Sequence, residues 1–231
     1  MRGDGGMRMT RAIGAGVVAA AAAGGLLVAA VRVSRHSGVT ERELAMKLPG
    51  DDLVPGARLV IDRATTLPAP PERVWPWLVQ LGKGRAGWYL PDWLERVLPA
   101  GRRGLRYLDP VLQALVAGDE VPDWGPGEPV FRAAIVDPPL TLVYLSARDR
   151  DNGHRWPASG PPYPPSALVM SWALVLSETA VPDGGAGTRL QLRLRVNRVG
   201  NRAPALVASL AGLIDEATVR PMFAGLAERV R

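Results

Sequence analysis

Residues 188–196 read TRLQLRLRV, and this stretch decides the fold. From Leu190 to Val196 an aliphatic side chain stands at every second position, with arginine or glutamine in between. A period of two is typical of an antiparallel β-strand that has one apolar face and one solvated face. The apolar face needs a cover, so we expect an antiparallel sheet packed on one side against other apolar elements.

The run of residues before this strand is its expected partner. Leu168–Leu176 is strand-like, and a loop rich in proline and glycine, Pro182–Gly187, joins it to Thr188. Two such runs around a glycine-rich loop predict a β-hairpin. Three further runs of β-branched and aliphatic residues predict earlier strands: Ala57–Thr66, Val130–Val136 and Leu140–Leu145.

Helices are predicted between these strands. After the first strand, apolar residues with helical spacing predict a helix that opens at Pro71 and is kinked or shortened by Pro76. The residues on its apolar face are Val74, Trp77, Leu78 and Leu81. Short helices are expected at Asp92–Val97 and Asp109–Val116.

A long helix is predicted at the end of the chain, from near Ala203 and with a bend at Pro221. Strands collected in one run, with helices before and after, indicate an α+β fold with the sheet packed on one face. The apolar stripe of the terminal helix is expected to face the sheet and consists of Leu206, Val207, Leu210, Leu213, Ile214, Phe223, Leu226 and Val230.

The N-terminal residues carry a separate signal. Residues 13–31 contain no charged or strongly polar side chain, and a helix of this length spans roughly 28 Å, enough to cross a bilayer. We therefore expect a single transmembrane anchor. A cleaved signal peptide with its cut near Ala22 or Ala30 is the alternative. Four basic residues follow the span closely, namely Arg32, Arg35, Arg42 and Lys47, and three arginines precede it. The side of a membrane with more basic residues is usually cytoplasmic, which slightly favours a cytoplasmic C-terminal domain.

The charge and composition exclude several classes of function. Five arginines and one aspartate in the first 35 residues account for +4 of the net charge of +6, so the rest of the chain is nearly balanced and nucleic-acid binding is not expected. Cysteine is absent, which excludes disulfides and thiol nucleophiles. We expect residues 1–35 to be a tail and anchor, 36–55 a linker, and 56–231 one folded domain.

Residues 67–95 carry a resemblance to a known family. The residues that carry it are Pro70, Pro71, Glu72, Val74, Trp75, Pro76, Trp77, Leu78, Val79, Gln80, Gly82, Gly84, Arg85, Ala86, Gly87, Trp88, Tyr89, Asp92, Trp93, Leu94 and Glu95. The stretch resembles the SRPBCC superfamily, which includes START and Bet v 1-like proteins and polyketide cyclases. It is similar in particular to actinobacterial members that have an N-terminal hydrophobic segment.

The resemblance implies a helix-grip fold, in which a curved antiparallel sheet wraps around a long C-terminal helix. It also implies a cavity between the two for an apolar small molecule or lipid. The family has no invariant catalytic set, so no catalytic residue is carried over. A membrane-tethered carrier or sensor is the expected function, and a polyketide cyclase or aromatase-like enzyme is the alternative.

The candidate ligand-binding residues are aromatic or polar. Trp172 shares strand parity with Met170, so both are expected to line the cavity if their face is concave. Asp92 belongs to a polar set at the expected cavity mouth, although it is equally well placed to cap a short helix beginning at Trp93. Core packing is the alternative for each tryptophan. The full expected set is Gln80, Arg85, Trp88, Tyr89, Asp92, Trp93, Tyr144, Met170 and Trp172.

No cofactor or metal site is expected from the motifs. Gly82, Gly84 and Gly87 match the G-x-G-x-x-G pattern, but a helix precedes them and Pro91 follows, which contradicts the strand–turn–helix context of a dinucleotide site. A helix C-cap and tight turn at Gly82 is favoured instead. No H-E-x-x-H or G-x-S-x-G motif is present, and the catalytic residues of any enzyme stay unassigned.

Overall fold

The computed structural model describes residues 35–123, 128–158, 161–198 and 204–231, and the side chains of the terminal helix from Gly212 onward. The expected anchor at residues 13–31 lies outside the described residues. Among the helices within these ranges, none has both the length and the apolar character that a membrane crossing requires.

Seven strands within the described ranges form one curved, mostly antiparallel sheet. The strands are β1 (His36–Ser37), β2 (Leu59–Leu67), β3 (Glu120–Pro122), β4 (Val130–Asp137), β5 (Thr141–Asp149), β6 (Ala167–Ala180) and β7 (Ala186–Val196). Their order across the sheet is β1-β2-β7-β6-β5-β4-β3, and only the β1–β2 pair is parallel. The predicted hairpin is confirmed, because β6 and β7 pair along their length from Met170–Val196 to Ala180–Ala186.

The helices are α1 (Glu41–Ala45), α2 (Pro71–Gln80), α3 (Asp92–Glu95) and α4 (Pro204–Arg229). Pro71 occupies the first turn of α2, where its missing N–H costs least. The helix expected at 109–116 is a short 3-10 helix instead, Pro110–Gln113. The sheet with its long C-terminal helix is consistent with the expected helix-grip α+β fold.

The face of the sheet that packs against α4 is called the inner face. Strand register places Tyr144, Trp172, Leu194 and Ile61 in one row on this face, and Leu142, Leu174, Leu192 and Arg63 in the next. From α4, Val219, Met222, Phe223, Leu226 and Val230 pack into the same core. The expected apolar strand face and the second half of the helix stripe are therefore confirmed.

The first half of the expected helix stripe is wrong where it is described. Leu213 and Ile214 are 54% and 66% exposed. Asp215 and Glu216 face the sheet in their place, because Arg63 lies buried beneath them. A buried guanidinium needs charged or carbonyl partners, so the helix presents its carboxylates and not its leucines. Leu206, Val207 and Leu210 lie outside the described side chains.

The opposite, outer face of the sheet is not solvated as expected. Residues Thr40–Val54, which we call the strap, lie across it. Arg193 of β7 is only 4% exposed and donates to Asp62 Oδ1 at 2.6 Å and to Asp51 Oδ2 at 2.9 Å. Arg189 pairs with Glu43 at 2.7 Å. The polar half of the alternating strand thus holds the strap by ion pairs and does not face water.

The predicted linker at 36–55 is therefore wrong as a description of these residues. They contain β1 and the strap, and the strap includes α1. Both belong to the folded unit. The backbone at Gly50 adopts φ +88° and passes so close to β5 that a Cβ there would lie 2.5 Å from Val143 Cγ1. Side chains from the strap, including Val54, complete a second apolar cluster on the outer face.

Candidate ligand-binding site

A cavity of about 230 Å³, open on one side, lies between the inner face and α4. The strands β5 and β6 contribute Tyr144, Met170 and Trp172, and α4 contributes Asp215 and Val219.

Aromatic rings form most of one wall. The rings of Trp88 and Trp172 are nearly parallel, with centroids 5.9 Å apart, and Tyr144 lies on the other side of Trp172 at 6.2 Å. Phe131 of β4 tilts against both Tyr144 and Trp172. The Trp88 indole N–H donates to the Thr218 carbonyl at 3.0 Å, which fixes that ring to α4. Three near-parallel rings give an apolar aromatic wall, which suits planar molecules.

Tyr144 lines the cavity and carries a buried hydroxyl. The side chain is 3% exposed, and its Oη has no hydrogen-bond partner among the described residues. Burial raises the pKa of this phenol above its usual value, and the nearby Arg85 charge only partly opposes the shift. At neutral pH the group is therefore a protonated donor. Leaving such a group unpaired costs free energy, on the order of 1–3 kcal/mol.

The carboxyl of Asp215 lies at the α4 side of the cavity. Its Oδ2 is 3.1 Å from Arg63 Nε, and the same nitrogen is 2.8 Å from Glu216 Oε2. The two remaining nitrogens of Arg63 donate to the carbonyls of Asp62 and Gly212, both at 3.0 Å. Burial raises the pKa of Asp215 to about 6, with a further increase from Glu216 and a decrease from Arg63.

A second carboxyl, Asp123, lines the other end of the cavity and forms an ion pair with Arg148. The guanidinium of Arg148 also lies 5.8 Å from the centre of the Phe131 ring. This end of the cavity is thus charge-balanced. Among the described residues, no cluster of three carboxyl or imidazole groups is placed to hold a metal ion.

Four of the nine expected residues line the cavity: Trp88, Tyr144, Met170 and Trp172. Strand parity predicted the last two because they stand on the inner face of β6. Arg85 lies just behind the wall, where its Nη2 donates to the Val79 and Leu112 carbonyls. It reaches the cavity only through its charge on Tyr144.

The other four expected residues lie away from the cavity. Gln80 is fully buried and ties the loop at Tyr107 and Asp109 to α2. The Tyr89 hydroxyl donates to the Trp77 carbonyl at 2.8 Å, and Trp93 is 69% exposed. Asp92 belongs to the first turn of α3 without capping it and forms ion pairs with Arg96 and Arg106. These four residues therefore have structural contacts or lie at the protein surface.

The glycine turn after α2 has the expected role. Gly82, Gly84 and Gly87 all have positive φ, and Gly82 pairs with Gly87 across a tight turn. Gly82 reaches the cavity edge, where a Cβ would lie 2.9 Å from Val121 Cγ1. Positive φ favours glycine at all three positions, and close packing adds to this at Gly82 and Gly87.

The sequence missed Phe131 and Asp215. Phe131 carries a usable signal, since it is the one aromatic residue of the strand Val130–Asp137. The signal for Asp215 was indirect. Arg63 has the inner-face parity of the first strand, and a buried arginine there requires an acidic residue on the element above it.

Solved structures match this chain, whereas family models and curated proteins do not. A solution structure of a protein from Arthrobacter aurescens is 13% identical, covering 74% of this chain and 86% of that one, with a TM-score of 0.38. The crystal structure of Ara h 8.0201 is 14% identical over 74% and 96%, with a TM-score of 0.38. A hypothetical protein from Helicobacter pylori is 12% identical over 81% and 96%, with a TM-score of 0.41.

Proposed function

We propose that this protein binds a compact, planar, largely apolar molecule in the cavity between its sheet and α4, as a carrier or sensor. The observation that carries the proposal is the buried, unpaired Tyr144 hydroxyl within an aromatic wall. The hydroxyl is closed off from solvent, and a ligand oxygen would pair with it once the neighbouring side chains move aside.

The size of the cavity limits the ligand. Its volume of about 230 Å³ exceeds the roughly 150 Å³ of a buried apolar cavity that accepts benzene, and is below the roughly 300–1,000 Å³ of drug-sized pockets. One or two fused rings fill such a space. A long acyl chain does not fit inside, so a planar metabolite is a better candidate than an entire lipid.

The SRPBCC resemblance of residues 67–95 supports this proposal, since it implies a cavity at the same place in the fold. We further propose that residues 13–31 anchor the chain in a membrane and keep the folded domain on the cytoplasmic side. The ligand would then be captured close to a bilayer, where apolar molecules accumulate.

The proposal is tested with 1-naphthylmethanol, a two-ring neutral probe with one hydroxyl, by calorimetric titration of the full chain. We expect saturable binding at one site. Tyr144→Phe removes the donor and nothing else, so its affinity is expected to fall about two- to tenfold, as for the loss of one neutral hydrogen bond. Trp172→Ala removes the central ring and is expected to lose at least tenfold.

Two matched variants serve as controls. Tyr89→Phe removes a tyrosine hydroxyl that is bonded to the Trp77 carbonyl outside the cavity, and Trp93→Ala removes an exposed tryptophan. Both are expected to keep the affinity of the parent chain. No binding of the probe, or equal losses in the Tyr89 and Tyr144 variants, would contradict the proposed site.

A polyketide cyclase or aromatase-like activity is a second candidate, and the carboxyl of Asp215 favours it. A carboxyl with a pKa near 6 in an apolar cavity can accept and release a proton at neutral pH, as a cyclisation requires. The test is conversion of a synthetic poly-β-ketone thioester by the full chain. Formation of a cyclised product, at a rate that Asp215→Asn lowers about 10²-fold or more, would support the enzyme hypothesis. If no cyclised product forms, the carrier hypothesis is favoured.

A further inference from the structure

The charges around the cavity are unequal. Two carboxyl groups, Asp123 and Asp215, line it, and among the described lining residues there is no lysine, arginine or histidine. Asp123 is matched by Arg148. Asp215 has no such match, because it shares Arg63 with Glu216 and two carboxylates face one guanidinium.

Within the described ranges, the other groups near this trio do not restore the balance. Glu216 also receives a hydrogen bond from the Ser37 hydroxyl at 3.0 Å, which carries no charge. The guanidinium of Arg220 is 3.9 Å from Glu216, but its side chain is 83% exposed and its charge is screened by water. The α4 side of the cavity therefore holds a surplus negative charge when both acids are ionised.

Asp215 lines the cavity, and it shares its one guanidinium partner with Glu216. Its Oδ2 is buried against Arg63 without a hydrogen bond of acceptable geometry in the described part of the chain. The indole rings of Trp88 and Trp172 line the same space. Indole faces attract cations, and a nearby carboxylate strengthens that attraction in a partly desolvated site.

We propose that the cavity selects a protonated aromatic amine, with its ring against Trp88 and Trp172 and its ammonium group beside Asp215. The inference rests on the proposed binding function and specifies the chemical class of the ligand. An ammonium group has three donors, no acceptor and a positive charge, so beside Asp215 it neutralises the surplus negative charge. A carboxylate or phosphate ligand is disfavoured because it would add a third negative group.

The test compares three probes of one shape: 1-naphthylmethylamine, 1-naphthylmethanol and 1-naphthoic acid. Each is titrated into the full chain at pH 7.5. We expect the amine to bind at least tenfold more tightly than the alcohol, and the acid to bind more weakly than both. Asp215→Asn keeps the shape of the side chain and removes its charge, so the preference for the amine is expected to fall to threefold or less.

Asp215→Glu serves as the matched variant, since it keeps the charge and should retain an amine preference. An alcohol that binds as tightly as the amine, or an amine preference unchanged in Asp215→Asn, would overturn this inference and leave the apolar binding function intact. If no probe binds, the proposed function itself fails. Circular dichroism of each variant verifies that the fold is retained.

Discussion

Arg63 stands on the inner face of β2, in register with Leu192 of β7, and is about 1% exposed. Its presence there determines which side of α4 faces the sheet. Because two carboxylates and two carbonyls surround its guanidinium, the helix turns Asp215 and Glu216 inward and leaves Leu213 and Ile214 in solvent. The polar strip that results is where the cavity forms.

Asp215 is expected to cost stability at neutral pH. Its pKa is about 6 in the folded protein against 3.8 for the free side chain, mainly because of burial. Between these two pKa values the folded state binds more protons than the unfolded state. The contribution of Asp215 to the free energy of unfolding is therefore most favourable below about pH 4, and it is lost as the pH rises through 6.

Asp215→Asn should therefore stabilise the protein at pH 7.5 by on the order of 1–3 kcal/mol and have little effect at pH 4. Urea unfolding at the two pH values measures both quantities. Lower stability of the variant at pH 7.5 would show that the Arg63 ion pair outweighs the burial of Asp215. A stabilising variant that also loses the amine preference is the pattern expected of a functional group.

Single residues were predictable from the sequence where strand parity applied. Met170 and Trp172 were placed correctly because a period of two assigns every strand residue to a face. Leu213 and Ile214 were misplaced, since a helix with apolar residues on several sides does not reveal which side is buried. Asp92 and Trp93 were misplaced because residue type alone does not indicate where an irregular loop lies.

At the scale of elements, regular periodicity predicted the bounds of five strands and one helix to within a few residues: β2, β4, β5, β6, β7 and α2. The strap was not predictable in this way. Its 3-10 helix and α1 are three and five residues long, too short to show a period. It is held by ion pairs to Arg189 and Arg193, which are more than 130 residues away in the chain. The arginines of TRLQLRLRV had a partner that sequence spacing does not reveal.

The strap should depend on Arg193 in particular. Arg193→Met leaves the carboxylate of Asp62, about 1% exposed, without its 2.6 Å partner. Breaking one side of a buried ion pair typically costs about 3–5 kcal/mol, and we expect a loss of that size in chemical denaturation.

Arg195→Met is the matched control, because Arg195 lies on the same face but is 18% exposed and bonds weakly to the Val54 carbonyl at 3.3–3.4 Å. It should cost about 1 kcal/mol or less. The double variant Arg193→Met with Asp62→Leu is expected to regain much of the loss. Equal effects of the two arginine variants would argue against a special role for Arg193.

At the scale of the molecule, the sheet is covered on both faces: α4 on the inner face, and the strap with the loop around Trp156 and Tyr163 on the outer face. The α+β class was predictable, since it depends on the order of elements. The extent of the domain was not, because it depends on contacts between the first and last parts of the described chain.

Removing residues 1–55 should therefore unfold the protein and not merely free it from a tether. A chain that begins at Gly56 exposes Asp62, Arg193 and the outer apolar cluster, and we expect aggregation or a loss of at least about 3 kcal/mol. A chain that begins at Arg35 keeps β1 and the strap and should unfold cooperatively like the parent. Thermal denaturation and soluble yield of the two chains distinguish these outcomes. Equal stability would restore the linker interpretation.

The parallel pairing of β1 with β2 has a mechanical consequence. A pull on the chain at Arg35 runs along the axis of β1, so the hydrogen bonds to Asp62 and Arg63 are loaded together in shear and are not unzipped one by one. Ser37, in the same strand, is bonded to Glu216 on α4. Force carried by β1 therefore has a direct path, through Ser37, to Glu216 beside the cavity.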